Sequence, residues 1–290
     1  MARIGKGLQM TLSWVPKQDG HISPRTVEAA EGVYVCRAKH FGEVMPGKLL
    51  HGECRAQICH SGREFNKPKY EVLCESGFGN EQCFSWASQQ CGRVEPNAVV
   101  SGVARDGQPL YIARAFINNQ WVVGSVDGLV YPDVTMAKCG SGYQMTLSWI
   151  PAECGTIPPN ALDAGGKVYV CRAEHDGDIL PGKLVESTHS AYVSANGKEY
   201  EKLVYDALCQ TGVSCKHTFE WMKDADGKIP ENSLVAGITV NREPLYVARM
   251  YVDGEYAVGK VRESHGCAYF PYKGKEIPAD EYEVLVWMER

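Results

Sequence analysis

The chain has 290 residues, 44% of them hydrophobic and 22% charged, with a formal net charge of −5. This is globular rather than disordered composition, long enough for one large domain or two ordinary ones, without the basic field that grips a phosphate backbone. No apolar run reaches the roughly 18–20 residues that span a bilayer, and "MARIGKGLQMTLSW" lacks the apolar core of a secretory signal, so a cytoplasmic location is expected, with a non-classical release route left open.

The first element is "QMTLSWVP" at Gln9–Pro16, a strand carrying Trp14. A loop, "GHISPRTVEAAEG", leads into "VYVCRA", where Tyr34, Cys36 and Ala38 alternate with Val35 and Arg37 at the period of a strand. "VMPGKL" follows, then "GREFNKPKYEVL". A second unit begins near Trp86 with the loop "GRVEPNAVVSG". It continues into "LYIARAFINNQWVVG", which reads as a hairpin because the two Asn tolerate positive φ. This unit runs out at "GLVYPDVTMAK", so its last strand is expected to be missing or supplied from elsewhere.

From Cys139 the text starts again. "QMTLSWIP" at Gln144 copies the opening, and "VYVCRAEHDGDILPGKL" at Val168 copies "VYVCRAKHFGEVMPGKL" at Val33, 135 residues on. "PLYVARM" from Pro244 matches "PLYIARA" from Pro109, and "RMYVDGEYAVGK" has an Asp253-Gly254 turn. Four units therefore alternate between two variants, and the chain divides at 1–137 and 138–290. Their periodicity is that of strands, with no amphipathic helical stretch longer than two turns. The expected fold is all-β, with antiparallel hairpins packed into two tandem sandwiches.

Twelve cysteines suggest a disulfide framework, and the duplication tests that idea. Cys36 recurs as Cys171 and Cys74 as Cys209, but Cys54, Cys59, Cys83, Cys91, Cys154, Cys215 and Cys267 have no counterparts. Bridges essential to the fold would have been copied with it, so reduced thiols are expected.

The ordered set Trp, "G-x-I-P-x-N-A", "VYV/LYV-x-RA", "PGK", "GKE" and "YEVL" resembles the DM-nine repeat family, over nearly the whole chain and in four copies. The resemblance implies a β-sandwich lectin domain built from two intertwined repeats. It also implies metal-independent recognition of mannose-type glycans in innate immunity or host–parasite contact. Its sugar contacts are a lysine of "PGK" and an acidic residue near the loop before the strand. On this chain the lysines are Lys48, Lys183 and, in the drifted "VGK", Lys260, while Ser125 takes the place in the second unit. The matching acids of the odd units are Glu28 and Asp163. The implied partners are mannose-containing glycans, with a homo-oligomer left open. Catalytic residues, metal and cofactor are not expected.

The chemistry suits a sugar. A carboxylate accepts from two vicinal hydroxyls and an ammonium donates up to three bonds, each strengthened by charge. One shallow site of this kind is weak, and repetition raises avidity. The same residues also permit a bland reading, in which Pro and Gly shape a turn and the lysine is solvated. A protein- or vesicle-binding scaffold of the same fold is the rival function. An enzyme is a weaker rival, since no nucleophile–base set is recognisable. Cys36-x-x-x-His40 and Cys171-x-x-x-His175 place their Cα atoms about 13 Å apart on a strand, too far for one tetrahedral site. Arg37, Arg114, Arg172 and Arg249 share one strand position, read as an ion pair or aromatic stack, and the four Trp as core or sheet-edge anchors.

Overall fold

Two-residue turns of positive φ set the hairpins. Asn118 and Asn119 have φ of 50° and 62°, and Asp253-Gly254 has 50° and 89°. This pattern matches the right-handed twist of the flanking strands. The same device closes Ser61-Gly62, Asn196-Gly197 and Lys273-Gly274. The computed structural model describes residues 2–4, 6–78, 83–89, 93–95, 97–126, 134–138, 146–212 and 219–288. Among these, every regular element is a strand.

Each repeat is one pattern of strands. In the third repeat a tryptophan strand (Leu147–Glu153) is followed by a short strand (Asp163–Gly165), an arginine strand (Val168–His175) and a lysine strand (Asp178–Val185). An outer hairpin (Ser190–Ala195 and Lys198–Lys202) and a closing strand (Val204–Gln210) complete it. The closing strand returns beside the arginine strand, with Arg172 opposite Asp206. The first repeat has the same order, with its arginine strand at Val33–His40, lysine strand at Glu43–Leu50 and outer hairpin at Ala56–His60 and Arg63–Lys67. The fourth places these elements at Pro244–Val252, Glu255–Val261, and Ala268–Tyr272 with Lys275–Ala279.

The second repeat differs from the sequence expectation. Its closing strand is present, at Val134–Lys138, paired with both the tryptophan strand (Ser85–Gln89) and the arginine strand (Pro109–Ile117). Between the strand Gln120–Val126 and Val134 no strand is described, where the fourth repeat carries its outer hairpin. "VTMAK" does not resemble "YEVL", so the sequence does not announce this closing strand.

The chain forms two compact units. The first comprises Met1–Ala2, Met10–Ser148 and Thr211–Cys215, and the second Arg3–Gln9, Trp149–Gln210 and Lys216–Arg290. Within each unit two repeats are intertwined. In the first, the Arg37 guanidinium of one repeat donates to the Ser101 carbonyl of the other at 2.8 Å, and Arg114 returns a bond to the Ala29 carbonyl. Trp14, Val35 and Leu73 of the first repeat share a core with Val99, Ile112 and Val123 of the second. Burial of about 1.5–3 kcal/mol per large side chain against both repeats is the main force holding such a pair. In the second unit, Gly7–Gln9 adds a parallel strand beside Ser233–Ile238, a pairing that the alternation pattern does not announce.

Candidate functional site

Four arginines lie over four tryptophans. Arg37 sits 4.4 Å from the Trp14 ring centroid, Arg114 4.3 Å from Trp86, Arg172 4.4 Å from Trp149 and Arg249 4.4 Å from Trp221. Three of them also pair with a carboxylate on the closing strand: Arg37 with Glu71 at 2.6 Å, Arg172 with Asp206 at 3.0 Å, Arg249 with Glu283 at 2.7 Å. Arg114 faces Thr135 instead, and burial alone holds its guanidinium below the usual range. These groups are part of the repeat's frame.

The lysines form the more unusual cluster. Lys48, Lys183 and Lys260 retain only 7%, 9% and 8% of their exposure, a rare depth for an ammonium without a partner. Lys183 Nζ lies 3.1 Å from Glu199 Oε1, and Lys260 Nζ 2.7 Å from Glu276 Oε1. Lys260 also donates to the Ser194 hydroxyl at 3.3 Å and to the Ser194 carbonyl. The two outer hairpins of this unit clasp each other reciprocally. The Gly274 N–H donates to Glu199 Oε2 at 2.6 Å, and the Gly197 N–H to Glu276 Oε2 at 2.9 Å. The Lys183 ammonium also lies 5.4 Å from the Tyr192 ring and 5.6 Å from the Tyr272 ring, within cation–π range. Burial pushes the Glu276 carboxyl up, but the Lys260 charge and the hydrogen bonds outweigh it, and the net direction is down. Burial likewise lowers Lys260, against the raising effect of Glu276.

The acids named from sequence stand elsewhere. Asp163 is opposite Tyr169, which is opposite Leu184, whereas Lys183 is opposite Val170. Successive side chains alternate across a strand, so Asp163 and Lys183 project from opposite faces. Glu28 and Lys48 are separated by the same register, Glu28 to Tyr34 to Leu49 against Val35 to Lys48. Asp163 Oδ1 accepts from the Gly165 N–H at 2.7 Å. Sequence reasoning named the lysines with Glu28 and Asp163; the carboxylates beside Lys183 and Lys260 are those of Glu199 and Glu276. A signal was available: Glu64, Glu199 and Glu276 each follow Lys48, Lys183 and Lys260 by the same interval.

Lys48 is the exception. Glu64, the counterpart of Glu199, is exposed, and among the described residues Lys48 has no ion pair. The cause is visible in the second unit, where the Gly274 N–H of the fourth repeat holds Glu199 in place. Among the described residues the second repeat supplies no such donor.

Burial pushes the Cys36 and Cys171 thiols far up, so neither is a thiolate nucleophile at neutral pH. Lys67 Nζ donates to His40 Nδ1 at 2.9 Å, and Lys202 Nζ to His175 Nδ1 at 3.0 Å. Among the described residues no three His, Cys, Asp or Glu side chains are grouped to hold a metal, and no helix is long and apolar enough to cross a membrane. Burial, then the Lys67 and His60 charges, hold His40 below the usual imidazole range against the opposing effect of Glu43. The folded state thus favours neutral His40, and the unfolded chain binds more protons as pH falls below about 6.5. Stability present above that pH is expected to fall on acidification. The denaturant midpoint should drop between about pH 7.5 and about pH 5.5, and drop less in His40→Gln; equal drops would exonerate His40.

The DM9 repeat matches residues 28–129 and 163–279. Natterin-4 of Thalassophryne nattereri is 28% identical over 144 residues, covering 48% of this chain and 33% of its own length. The chain thus spans about a third of that curated relative. The nematode sperm cell motility protein MFP2B aligns over 96% of this chain and 98% of its own, at 14% identity and a TM-score of 0.40.

Proposed function

This chain belongs to the DM9 repeat family, and from that premise we propose that it is a multivalent, metal-independent carbohydrate-binding protein for mannose-type glycans, serving immune recognition or host–parasite contact. The observation that carries the reading is the Lys183–Glu199 pair. Glu199 Oε1 lies 3.1 Å from the ammonium, is buried, and makes no aligned hydrogen bond among the described residues, so it is an unsatisfied acceptor for a hydroxyl that reaches the pair. A diol hydroxyl donating there, with its neighbour accepting from Lys183, satisfies both groups. Tyr192 is half-buried beside the lysine and offers a ring to the apolar face of a sugar. Lys260 with Glu276 forms a second anchor in the same unit. In this proposal Glu199 and Glu276 take the place of Glu28 and Asp163, and Lys48 is a third anchor, with no ion pair among the described residues.

Replacing a lysine alone leaves a buried carboxylate uncompensated, so the test removes whole pairs. Isothermal titration of the chain with mannose and mannan compares wild type with Lys183→Met/Glu199→Gln plus Lys260→Met/Glu276→Gln. Weak mannose binding and tighter mannan binding are expected, with mannan affinity lost by about 10²-fold in the quadruple variant as avidity disappears. A folded wild type that binds neither ligand at millimolar sugar overturns the proposal. Unchanged mannan binding in the folded variant overturns the site.

A further inference from the structure

In both even repeats the stack of arginine on tryptophan continues to the surface. Arg249 covers two rings, 4.4 Å from the Trp221 centroid and 4.8 Å from that of Tyr256. Tyr256 stands opposite Tyr251 across the hairpin, with ring centroids 5.0 Å apart. Arg114 likewise lies 4.3 Å from Trp86 and 4.9 Å from Trp121, and Trp121 stands opposite Phe116 with centroids 5.4 Å apart. The outermost rings face solvent: among the described residues Tyr251 is 65% exposed and Phe116 58%. In the odd repeats the same two positions hold Lys39 opposite Val44 and Glu174 opposite Ile179. The even repeats thus end the stack in an aromatic pair at one fixed place in the pattern.

Three observations say what such a pair receives. First, the inner ring is fixed. A Cβ at Gly165 would overlap the Tyr256 ring, so Tyr256 is packed on the short strand Asp163–Gly165 as well as under Arg249. A ring held this way loses little freedom on binding. Second, the rim is polar. Asp163 is exposed and its Oδ1 accepts from the Gly165 N–H at 2.7 Å, which sets a carboxylate with further acceptor capacity beside the Tyr256 ring. At the hairpin's turn the Tyr272 hydroxyl donates to Asp253 at 3.1 Å, and Asp253 pairs with Lys273 at 2.9 Å. In the first unit the strand Glu28–Ala30, with Glu28 exposed, lies against Gln120–Val126. Third, each pair is two rings, short of the roughly 300–600 Å² of contiguous apolar surface that marks a protein-docking patch. A small apolar face rimmed by acceptors matches a neutral pyranose, whose C–H face is flanked by hydroxyls. The same carboxylates repel an anionic lipid surface.

We infer that the Tyr251–Tyr256 and Phe116–Trp121 pairs are stacking platforms for neutral pyranose residues, one in each unit of the chain. The exposed ring covers the apolar face of a sugar, and Asp163 or Glu28 accepts from a hydroxyl at its edge. This rests on the glycan reading and adds a second kind of contact to it: the lysine–glutamate anchors grip hydroxyls, and the platforms hold further sugar residues by their flat faces. Two platforms in tandem contribute to avidity for a polymer.

The test titrates the full chain with mannan by calorimetry, after urea midpoints have shown each variant to be folded. Phe116→Leu/Tyr251→Leu keeps apolar bulk and removes the flat faces, Phe116→Trp/Tyr251→Trp keeps the faces, and Lys39→Ala/Glu174→Ala changes the matching odd positions. The leucine pair is expected to weaken mannan binding about tenfold, and the other two pairs to stay within about twofold of wild type. Unchanged affinity in the leucine pair overturns the inference and leaves the lysine–glutamate anchors standing; so does an equal loss in the odd-position control. Binding that survives removal of both lysine–glutamate pairs but not of the two rings upholds the platforms and overturns those anchors instead. A wild type that binds no mannan overturns both. Co-sedimentation with phosphatidylcholine–phosphatidylserine vesicles tests the other occupant: adsorption abolished in the leucine pair, with mannan affinity unchanged, assigns the rings to a bilayer and overturns the inference.

Discussion

Gly182→Ala is expected to cost the second unit about 3 kcal/mol or more, while Gly124→Ala stays within about 0.5 kcal/mol of wild type. Both glycines stand before the same motif position, "PGK" in one repeat and "VGS" in another. At Gly182 the added methyl would fall inside the radius of the Tyr192 carbonyl oxygen and 2.9 Å from Val193 Cγ1. The carbonyl belongs to a strand paired residue by residue with its neighbours, Gly182 to Val193 and Lys183 to Tyr192. Relief requires parting two strands and abandoning ladder bonds. Among the described residues the methyl at Gly124 meets nothing within 4 Å. Urea denaturation followed by tryptophan fluorescence compares the two; matching midpoints would mean that strand approach is not what requires this glycine.

This contrast also bears on why one sentence is written twice. The tandem "PGKL" reads from sequence as either a sugar contact or a turn, and the structure excludes the turn. Pro181, Gly182 and Lys183 lie inside a strand, not at its end. The glycine admits the hairpin strand, and the lysine meets Glu199 on the hairpin's far arm. The duplication, the strand periodicity and the Asn-Asn and Asp-Gly turns were legible, because each depends on local residue chemistry. The shared place of the four arginines was legible too, though not their acids, which lie on a strand that returns only after the outer hairpin. Partners so distant in the chain leave no periodicity. Asp163 was attractive because it lies near the loop, but a register one residue different from that of Lys183 puts it on the other face. The closing strand of the second repeat was readable only as an irregular ending, since nothing in "VTMAK" marks it until its pairing with Ser85–Gln89 is known.

Arg249→Met is expected to destabilise the second unit by about 3 kcal/mol, and Arg249→Met/Glu283→Met by clearly less. Arg249 does three things at once. Its Nε–H meets Glu283 at 2.7 Å, its Nη1–H donates to the Ala164 carbonyl of the neighbouring repeat at 2.6 Å, and its plane covers Trp221 and Tyr256. Removing the guanidinium alone strands a carboxylate whose side chain is 24% exposed, enough water to soften the penalty but not to cancel it. Methionine retains much of the apolar contact over the ring, so the stack is not the main loss. The second substitution takes away the stranded charge, and what remains missing is the bond to Ala164. The comparison that decides the matter is Arg114→Met. This residue stacks at 4.3 Å on Trp86 and 4.9 Å on Trp121 and donates across to Ala29, but its closing strand offers threonine where the others have an acid. If the carboxylate left behind is what makes the change costly, Arg114→Met costs less than Arg249→Met and about as much as the double variant. Equal losses for Arg114→Met and Arg249→Met in chemical denaturation would show that the stack and the inter-repeat bond hold each pair of repeats together, and that the acids contribute little.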